Sequence, residues 1–218
     1  MIKAKSNYYA RIIFDIYINK LLKKNFSHFY LINNFPELKS NDSVVLVPNH
    51  FSWWDGFFID WVLKKETNYN IKLMMLERQL KRYWFFNYIG AFSIDPEKPT
   101  STKETMSYSR SLIRAKENAL IIYSQGIIEP YEKRPIKLKK GLRVILKTLE
   151  NIKVIPVGFK ISYSEEKSPS ILCRFGEPLL AKTIVNDFNF FEESFNNNLE
   201  LLDSSNENMN YVKDYFQK

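Results

Sequence analysis

The residues best suited to chemistry are His50 and Asp55, within Val47-Pro48-Asn49-His50-Phe51-Ser52-Trp53-Trp54-Asp55-Gly56. An imidazole, whose ordinary pKa is about 6.5, accepts a proton from a hydroxyl at neutral pH once a neighbour fixes its tautomer. A carboxylate hydrogen-bonded to Nδ1 does this and also stabilises the imidazolium that forms. At an offset of five, the two side chains do not share one face of a continuous helix. A turn that doubles back, with Asp55 near a helix start, brings them together. A His–Asp pair recurs by chance, so the flanking Pro48-Asn49 and Ser52-Trp53-Trp54 carry part of the argument. The other histidine, His28, reads as structural, and the sole cysteine, Cys173, as a small buried hydrophobe. Two histidines and one cysteine, not clustered, build no familiar zinc site, so no metal is expected.

The elements that must position this pair follow from the apolar pattern. Residues 44–47, 71–76, 91–94, 120–123, 154–159 and 171–175 are apolar runs of strand length. Residues 56–65, 77–88, 101–118 and 139–150 show helical spacing. The alternation predicts one α/β domain, with a mixed, mostly buried β-sheet flanked by helices. Such folds carry chemistry on loops at strand C-termini, and His50 falls on one.

Ahead of the domain, residues 1–27 predict an amphipathic helix with Tyr9, Ile12, Ile13, Ile16, Tyr17 and Leu21 at spacings of three and four. Lys3, Lys5, Arg11, Lys20, Lys23 and Lys24 flank that stripe against the single acid Asp15. Such a helix either lies in a membrane interface or packs on its own domain with a solvated outer face. Residues 28–182 hold the domain, and 183–218 read as a polar, helical extension.

The chain has 218 residues, 45% of them hydrophobic and 16% aromatic, enough for a substantial core. Its formal charge of +8 suits an anionic partner: a lipid surface, a nucleotide-bearing cofactor or nucleic acid. No RNP-like, zinc or helix-turn-helix pattern supports a nucleic-acid role, so none is expected. A single cysteine excludes an intrachain disulfide and favours a cytoplasmic address. No apolar run approaches the roughly 20 residues needed to span a bilayer. The N-terminus also lacks signal-peptide features. Any membrane contact is therefore expected to be peripheral, on the inner face.

Asn49-His50-x-Ser52-x-x-Asp55 resembles the first signature of the glycerolipid acyltransferase family, which contains the lysophosphatidic acid acyltransferases. Gly90-Ala91-Phe92-Ser93-Ile94-Asp95 is similar to its second block and Tyr123-Ser124-Gln125-Gly126 to its third. Val154-Ile155-Pro156-Val157 is similar to the fourth, and Arg174 to Leu179 to the strand and Gly-x-Pro turn that follow. The resemblance spans residues 30 to 180 and makes 28–182 an acyltransferase domain. It implies an O-acyltransferase in which His50 deprotonates the hydroxyl of a lipid acceptor such as 1-acylglycerol-3-phosphate. The oxygen then attacks an acyl-CoA or acyl carrier protein thioester, while Asp55 holds the imidazole. No cofactor beyond that co-substrate is implied. The same likeness makes Asn49, Ser52, Gln125 and Gly126 substrate contacts, with oxyanion donors among the backbone N–H groups near Gly126.

The sequence departs from the family at two cationic positions. Its third block normally reads Phe-Pro-Glu-Gly-Thr-Arg, but here Gln125 replaces the carboxylate and Ile128 the arginine. The second block ends Asp95-Pro96 rather than Asp-Arg. Arg134, in a basic run from Lys133 to Lys147, is the candidate replacement, because a guanidinium binds phosphate oxygens in pairs. That run also reads as a solvated helix face or a patch for anionic headgroups. The departures keep a phosphate-free acceptor (lipoamino acid, glycolipid or pigment alcohol), a thioesterase and a non-catalytic lipid-binding homologue in view. Phe51, Trp53, Trp54, Phe57 and Phe58 read mainly as core, with part of the set able to line an acyl tunnel. Tyr83 to Phe86, with Met74, Met75, Arg78, Lys81 and Arg82, reads as an amphipathic core helix that could also touch lipid.

Overall fold

A computed structural model describes residues 1–38, 42–205 and 210–217. The first half runs α1 (Tyr8–Asn25), β1 (Phe29–Leu31), β2 (Val44–Pro48), α2 (Asp55–Glu66), β3 (Asn70–Leu76) and α3 (Glu77–Arg82). A 3₁₀ turn (Trp84–Tyr88), β4 (Ala91–Ile94), α4 (Pro99–Arg114) and β5 (Asn118–Ile121) follow. The second half runs α5 (Gly141–Leu146), β6 (Lys153–Ser162), β7 (Ser170–Phe175), β8 (Leu179–Leu180), α6 (Ala181–Asn186), α7 (Phe188–Asp203) and β9 (Lys213–Asp214).

β2 shows why the sheet is buried on both faces. Val44 and Leu46 enter one apolar cluster with α1 and α2. Val45 and Val47 enter another, with α4, α5 and α7. A strand covered on both sides is a continuous apolar run rather than an alternating one, and its β-branched residues suit the pleat. The strand order is β4-β3-β5-β2-β6-β7-β1-β9, with β8 beside β6. β4, β3, β5, β2 and β6 are mutually parallel, whereas β7 and β8 run antiparallel to β6. This is the mixed, buried sheet between helical layers that the apolar pattern predicts. The C-terminal ends of the five parallel strands open on one edge, and the loop carrying His50 leaves β2 there.

Several elements differ from the sequence expectations. The helix expected over 77–88 breaks at Tyr83 into α3 and the 3₁₀ turn. Buried Asn87 donates to the carbonyls of Lys3 and Ala91, which holds the chain off a helical course. β5 starts and ends two residues before the expected 120–123, because the Tyr123 carbonyl accepts from Gly126 N–H in the next turn. β1, β8 and β9, at two or three residues each, are too short for alternation to be readable.

Residues 183–218 are less polar in their packing than in their composition; residues 206–209 and 218 lie outside the described set. Phe188, Phe191, Phe195, Leu199 and Leu202 recur at helical spacing along α7 and are buried in the domain. Asn and Glu between them dilute the signal. β9 then returns to pair with β1.

The N-terminal helix is present, but its packing face is Phe14, Ile18 and Leu22. Tyr9, Ile12, Ile13, Ile16 and Tyr17 point outward, with Tyr9 74% and Ile13 68% exposed. Only Leu21 of the expected stripe packs partly against the core. The helix thus carries apolar residues on both faces. No helix among the described residues is long and apolar enough to cross a membrane.

Candidate active site

His50 stands just past the end of β2, and Asp55 is the first residue of α2. The intervening turn brings His50 Nδ1 to 2.8 Å from Asp55 Oδ2. A carboxylate only accepts, so Nδ1 donates and Nε2 carries the lone pair. Asp55 Oδ2 also accepts the backbone N–H groups of Phe51 at 2.8 Å and Ser52 at 2.9 Å. One oxygen therefore organises the whole turn. The Asp55 carboxyl is fully buried, and burial pushes its pKa up against the opposing pull of His50 and the Ser52 and Phe51 amides. The His50 ring is half-buried and lies against the Tyr123 ring, centroids 4.4 Å apart.

His50 and Ser52 line a cavity of about 750 Å³. Its walls come from α2 (Gly56, Phe57), β3 (Ile71 and Leu73 to Leu76), the aromatic turn (Phe86) and the third block (Tyr123, Gly126 to Ile128). Arg78 and Arg82 of α3 and Asp60 of α2 add charge to this largely apolar lining.

The other residues expected at the site divide into those that face this cavity and those that build it. Ser52 faces it, and its hydroxyl accepts from Trp54 N–H at 3.1 Å. Gly126 also faces it, in the left-handed region at φ +74. Its N–H is engaged by the Tyr123 carbonyl, whereas the N–H groups of Ile127 and Ile128 have no acceptor among the described residues.

Asn49 does not face the cavity. It is 1% exposed, and its amide donates to the Phe159 carbonyl at 2.9 Å and accepts Phe159 N–H at 2.8 Å. That reciprocal pair continues the β2–β6 ladder past Pro48. Gln125 is likewise buried: Oε1 accepts His50 N–H at 2.6 Å, and Nε2 donates to the His50 carbonyl and to Glu129. The Gln125 amide therefore holds the His50 backbone and the Asn49 amide that of Phe159, and neither side chain lines the cavity. Glu129 also donates its backbone N–H to the His50 carbonyl, returning a carboxylate to the third block four residues late.

Arg134 is held away from the cavity. Its guanidinium lies over the Tyr131 ring, pairs with Asp203 at 3.4 Å and donates to the carbonyls of Tyr131 and Lys133. Asp203 arrives from the end of α7, a contact invisible in the sequence. The cation beside the third block is instead Lys139. A Cβ on Gly126 would stand 2.6 Å from Lys139 Nζ, and this ammonium has no hydrogen-bond or ion-pair partner among the described residues. Residues unforeseen at the site are Asp60, which lines the cavity, and Arg11, which binds it. An acid inside Phe57-Phe58-Ile59-Asp60-Trp61-Val62-Leu63 was the available signal, since a charge in an apolar helical run requires a partner.

A mostly parallel sheet with a His–Asp pair at its C-terminal edge, over an apolar cavity, fits the family model described as Acyltransferase, which matches residues 27–160. The chain belongs to this glycerolipid acyltransferase family. It is similar to the 1-acyl-sn-glycerol-3-phosphate acyltransferase of Streptococcus pneumoniae (strain ATCC BAA-255 / R6), 22% identical over 134 residues. That match covers 61% of this chain and 47% of the relative, so the chain spans about half the length of the curated protein it matches. Its fold is similar to the crystal structure of the 1-acyl-sn-glycerophosphate (LPA) acyltransferase PlsC from Thermotoga maritima, with a TM-score of 0.65 and 16% identity. That likeness covers 92% of this chain and 82% of the other.

Proposed function

We propose that the chain transfers a fatty acyl group from a thioester, acyl-CoA or acyl carrier protein, to the free hydroxyl of a lysophospholipid such as 1-acylglycerol-3-phosphate. The observation that carries this reading is the 2.8 Å His50–Asp55 bond at the wall of an apolar cavity of about 750 Å³. His50 Nε2 takes the proton of the acceptor hydroxyl as its oxygen attacks the thioester carbonyl carbon. The imidazolium is stabilised by Asp55. The developing oxyanion takes hydrogen bonds from the unengaged N–H groups of Ile127 and Ile128. The tetrahedral intermediate collapses, the C–S bond breaks, and the leaving thiolate recovers the proton from His50. The new ester keeps the acyl carbon and the acceptor oxygen.

The phosphate end of the acceptor meets Lys139, which stands beside Gly126, and the cations of the cavity wall, Arg78 and Arg82. The likeness to two proteins named as acyltransferases of 1-acylglycerol phosphates supports this acceptor class. A phosphate-free acceptor is the second reading, favoured by exposed Ile128 where the family carries arginine and by the engagement of Arg134 with Asp203. For a membrane-borne acceptor, α1 lies in the interface with Tyr9, Ile13, Ile16 and Tyr17 toward the acyl boundary. Exposed Trp84 and Phe85 of the 3₁₀ turn, which packs against α1, extend that surface.

The test supplies purified protein with acyl-CoA and acyl carrier protein donors and a panel of phosphorylated and phosphate-free acceptors, beside His50→Ala. Ester product that depends on both acceptor and His50 supports the transferase. Thioester loss without acceptor indicates a thioesterase. Activity untouched by His50→Ala removes His50 from the chemistry.

A further inference from the structure

We propose that the outer face of α4 and α5 is the docking surface for an acidic protein that bears the acyl thioester and presents it to the site. This inference rests on the acyl-transfer reading above. The two helices lie side by side in parallel. Met106 stands against Gly141, Arg110 donates to the Val144 carbonyl at 3.2 Å, and Arg114 donates to Thr148 Oγ1 at 3.0 Å. Their inner residues, among them Ile113, Leu142, Ile145 and Leu146, are buried in the domain. The outer face carries Lys103, Arg110 and Arg114 from α4, with Lys140, Arg143 and Lys147 from α5 and its two ends. Arg110 is half-buried and the other five are exposed. α5 contains no acid, and the single acid of α4, Glu104, lies 3.8 Å from the amino-terminal ammonium. None of the six cations forms an ion pair with a carboxylate among the described residues. Their charge is left for a partner.

Position decides which partner. α4 and α5 pack on the second apolar cluster, on the side of the sheet opposite α1 and α2. The exposed apolar residues of α1 therefore point away from the basic face, with the sheet and two helix layers of about 10 Å each between them. A flat bilayer that seats α1 cannot also touch α4 and α5. An interfacial helix inserts an apolar face, whereas Val144 is the one exposed large hydrophobic of α4 and α5 among the described residues. No exposed aromatic offers a base a stacking surface either. The face is also continuous with the site. Lys139 donates its backbone N–H to the Ser124 carbonyl at 2.7 Å, and its side chain lies beside Gly126 of the cavity wall. α5 starts two residues later and runs away from that point, so Lys147 stands about 9 Å further along the axis than Gly141. α4 leaves the same sheet edge after β4. A carrier that lays its acids on these cations has its thioester end directed toward Gly126. Opposite charge on the two surfaces steers their encounter and sets its orientation.

Two variants test this. Lys140→Glu/Lys147→Glu reverses two exposed charges that make no hydrogen bond among the described residues, and Lys140→Ser/Lys147→Ser removes them. Thermal unfolding establishes that each is folded. Binding of purified acyl carrier protein, labelled for fluorescence anisotropy, is read against ionic strength, beside phosphatidylglycerol vesicles and a short DNA duplex. Transfer is read with acyl carrier protein, acyl-CoA and an uncharged acyl-N-acetylcysteamine thioester as donors. The wild type should bind the carrier protein in a salt-sensitive way. The glutamate variant should lose about tenfold in kcat/KM for the carrier-borne donor, with the uncharged thioester unmoved. The serine variant should fall between, and it decides on the same readings if the glutamate variant does not fold. Wild-type carrier binding and transfer in a folded variant overturn the proposal. So does an equal fall with the uncharged thioester, which places the lysines in the reaction itself. Loss of vesicle or duplex binding in the variants, with carrier binding kept, assigns the face to that other partner and overturns it too. Carrier binding that depends on Lys140 and Lys147, with no transfer from any donor, upholds the surface and removes the transferase reading. Transfer from acyl-CoA by a protein that binds no carrier does the reverse.

Discussion

The Gln125 side chain closes on the backbone of His50 at both ends, accepting its N–H at 2.6 Å and donating to its carbonyl at 3.3 Å. A residue 75 positions away thus holds the proposed base in place without touching its ring. In Gln125→Ala a half-buried N–H loses its acceptor, a cost of about 1–3 kcal/mol. We expect kcat to fall about 10- to 100-fold with little change in KM for the donor, since the loss is one of positioning. Steady-state kinetics beside a thermal melt checks this, and unchanged kcat in a folded variant would show that His50 holds its place unaided.

Asp55→Asn should lower acyl transfer by about 10³- to 10⁴-fold, because a neutral amide no longer stabilises the imidazolium that forms. The substitution keeps an acceptor for the Phe51 and Ser52 N–H groups, so the turn survives. Single-turnover transfer reads the chemical step directly. A near wild-type rate would remove Asp55 from the mechanism.

Lys139→Gln should raise KM about tenfold for a phosphorylated acceptor and leave a phosphate-free analogue unaffected, the difference being one charge-assisted contact. Gly126→Ala should produce a similar change together with lower stability. Its Cβ both collides with the Lys139 side chain and must adopt φ +74. Equal effects of Lys139→Gln on both acceptors would assign Lys139 a general electrostatic role.

Vesicle binding should depend on the outer face of α1. Ile13→Glu/Tyr17→Glu places two acids among exposed apolar residues without disturbing Phe14, Ile18 or Leu22. Co-sedimentation with vesicles containing anionic lipid is expected to fall several-fold, while the melting temperature holds. Retention at the wild-type level would move the contact to another surface.

His28 provides the pH prediction. Its Nδ1 lies 2.7 Å from Asp214 on β9 and its Nε2 lies 3.1 Å from Glu166. Burial works against its charge, but hydrogen bonds to Asp214 and then Glu166 outweigh it and raise its pKa above 6.5. A raised folded-state pKa stabilises fully at pH below the unfolded value and loses that contribution as pH rises through the folded one. Chemical unfolding from pH 6 to 9 should therefore show a decline in the wild type that His28→Gln lacks. Parallel pH profiles for the two would show that His28 adds no charge-dependent stability.

How much was legible depended on the range of the interaction. The six longer strands were readable as continuous apolar runs, since the sheet is covered on both faces, and the helices by a buried face at a fixed period; both patterns lie in consecutive residues. His50 and Asp55 were readable because one short turn brings them together. Asn49 and Gln125 were recognisable by type but not by role: their amides spend their hydrogen bonds on Phe159 and His50, residues 110 and 75 positions away. α7 was obscured because Asn and Glu interrupt its buried phenylalanines.

The amino-acid sequence by itself determined the α/β alternation, the His–Asp turn and the loss of two cationic positions in the second and third blocks, all carried by local spacing or residue identity. Only the tertiary structure decided where the remaining cations stand. Arg134 is withdrawn by Asp203 at the end of α7, and Lys139 lies over Gly126. It also decided which face of α1 is buried, since both faces are apolar and only packing against α2 chooses Phe14, Ile18 and Leu22. The reason is the same in each case: an ion pair or a helix face is selected by partners that only the folded chain brings within a few ångströms.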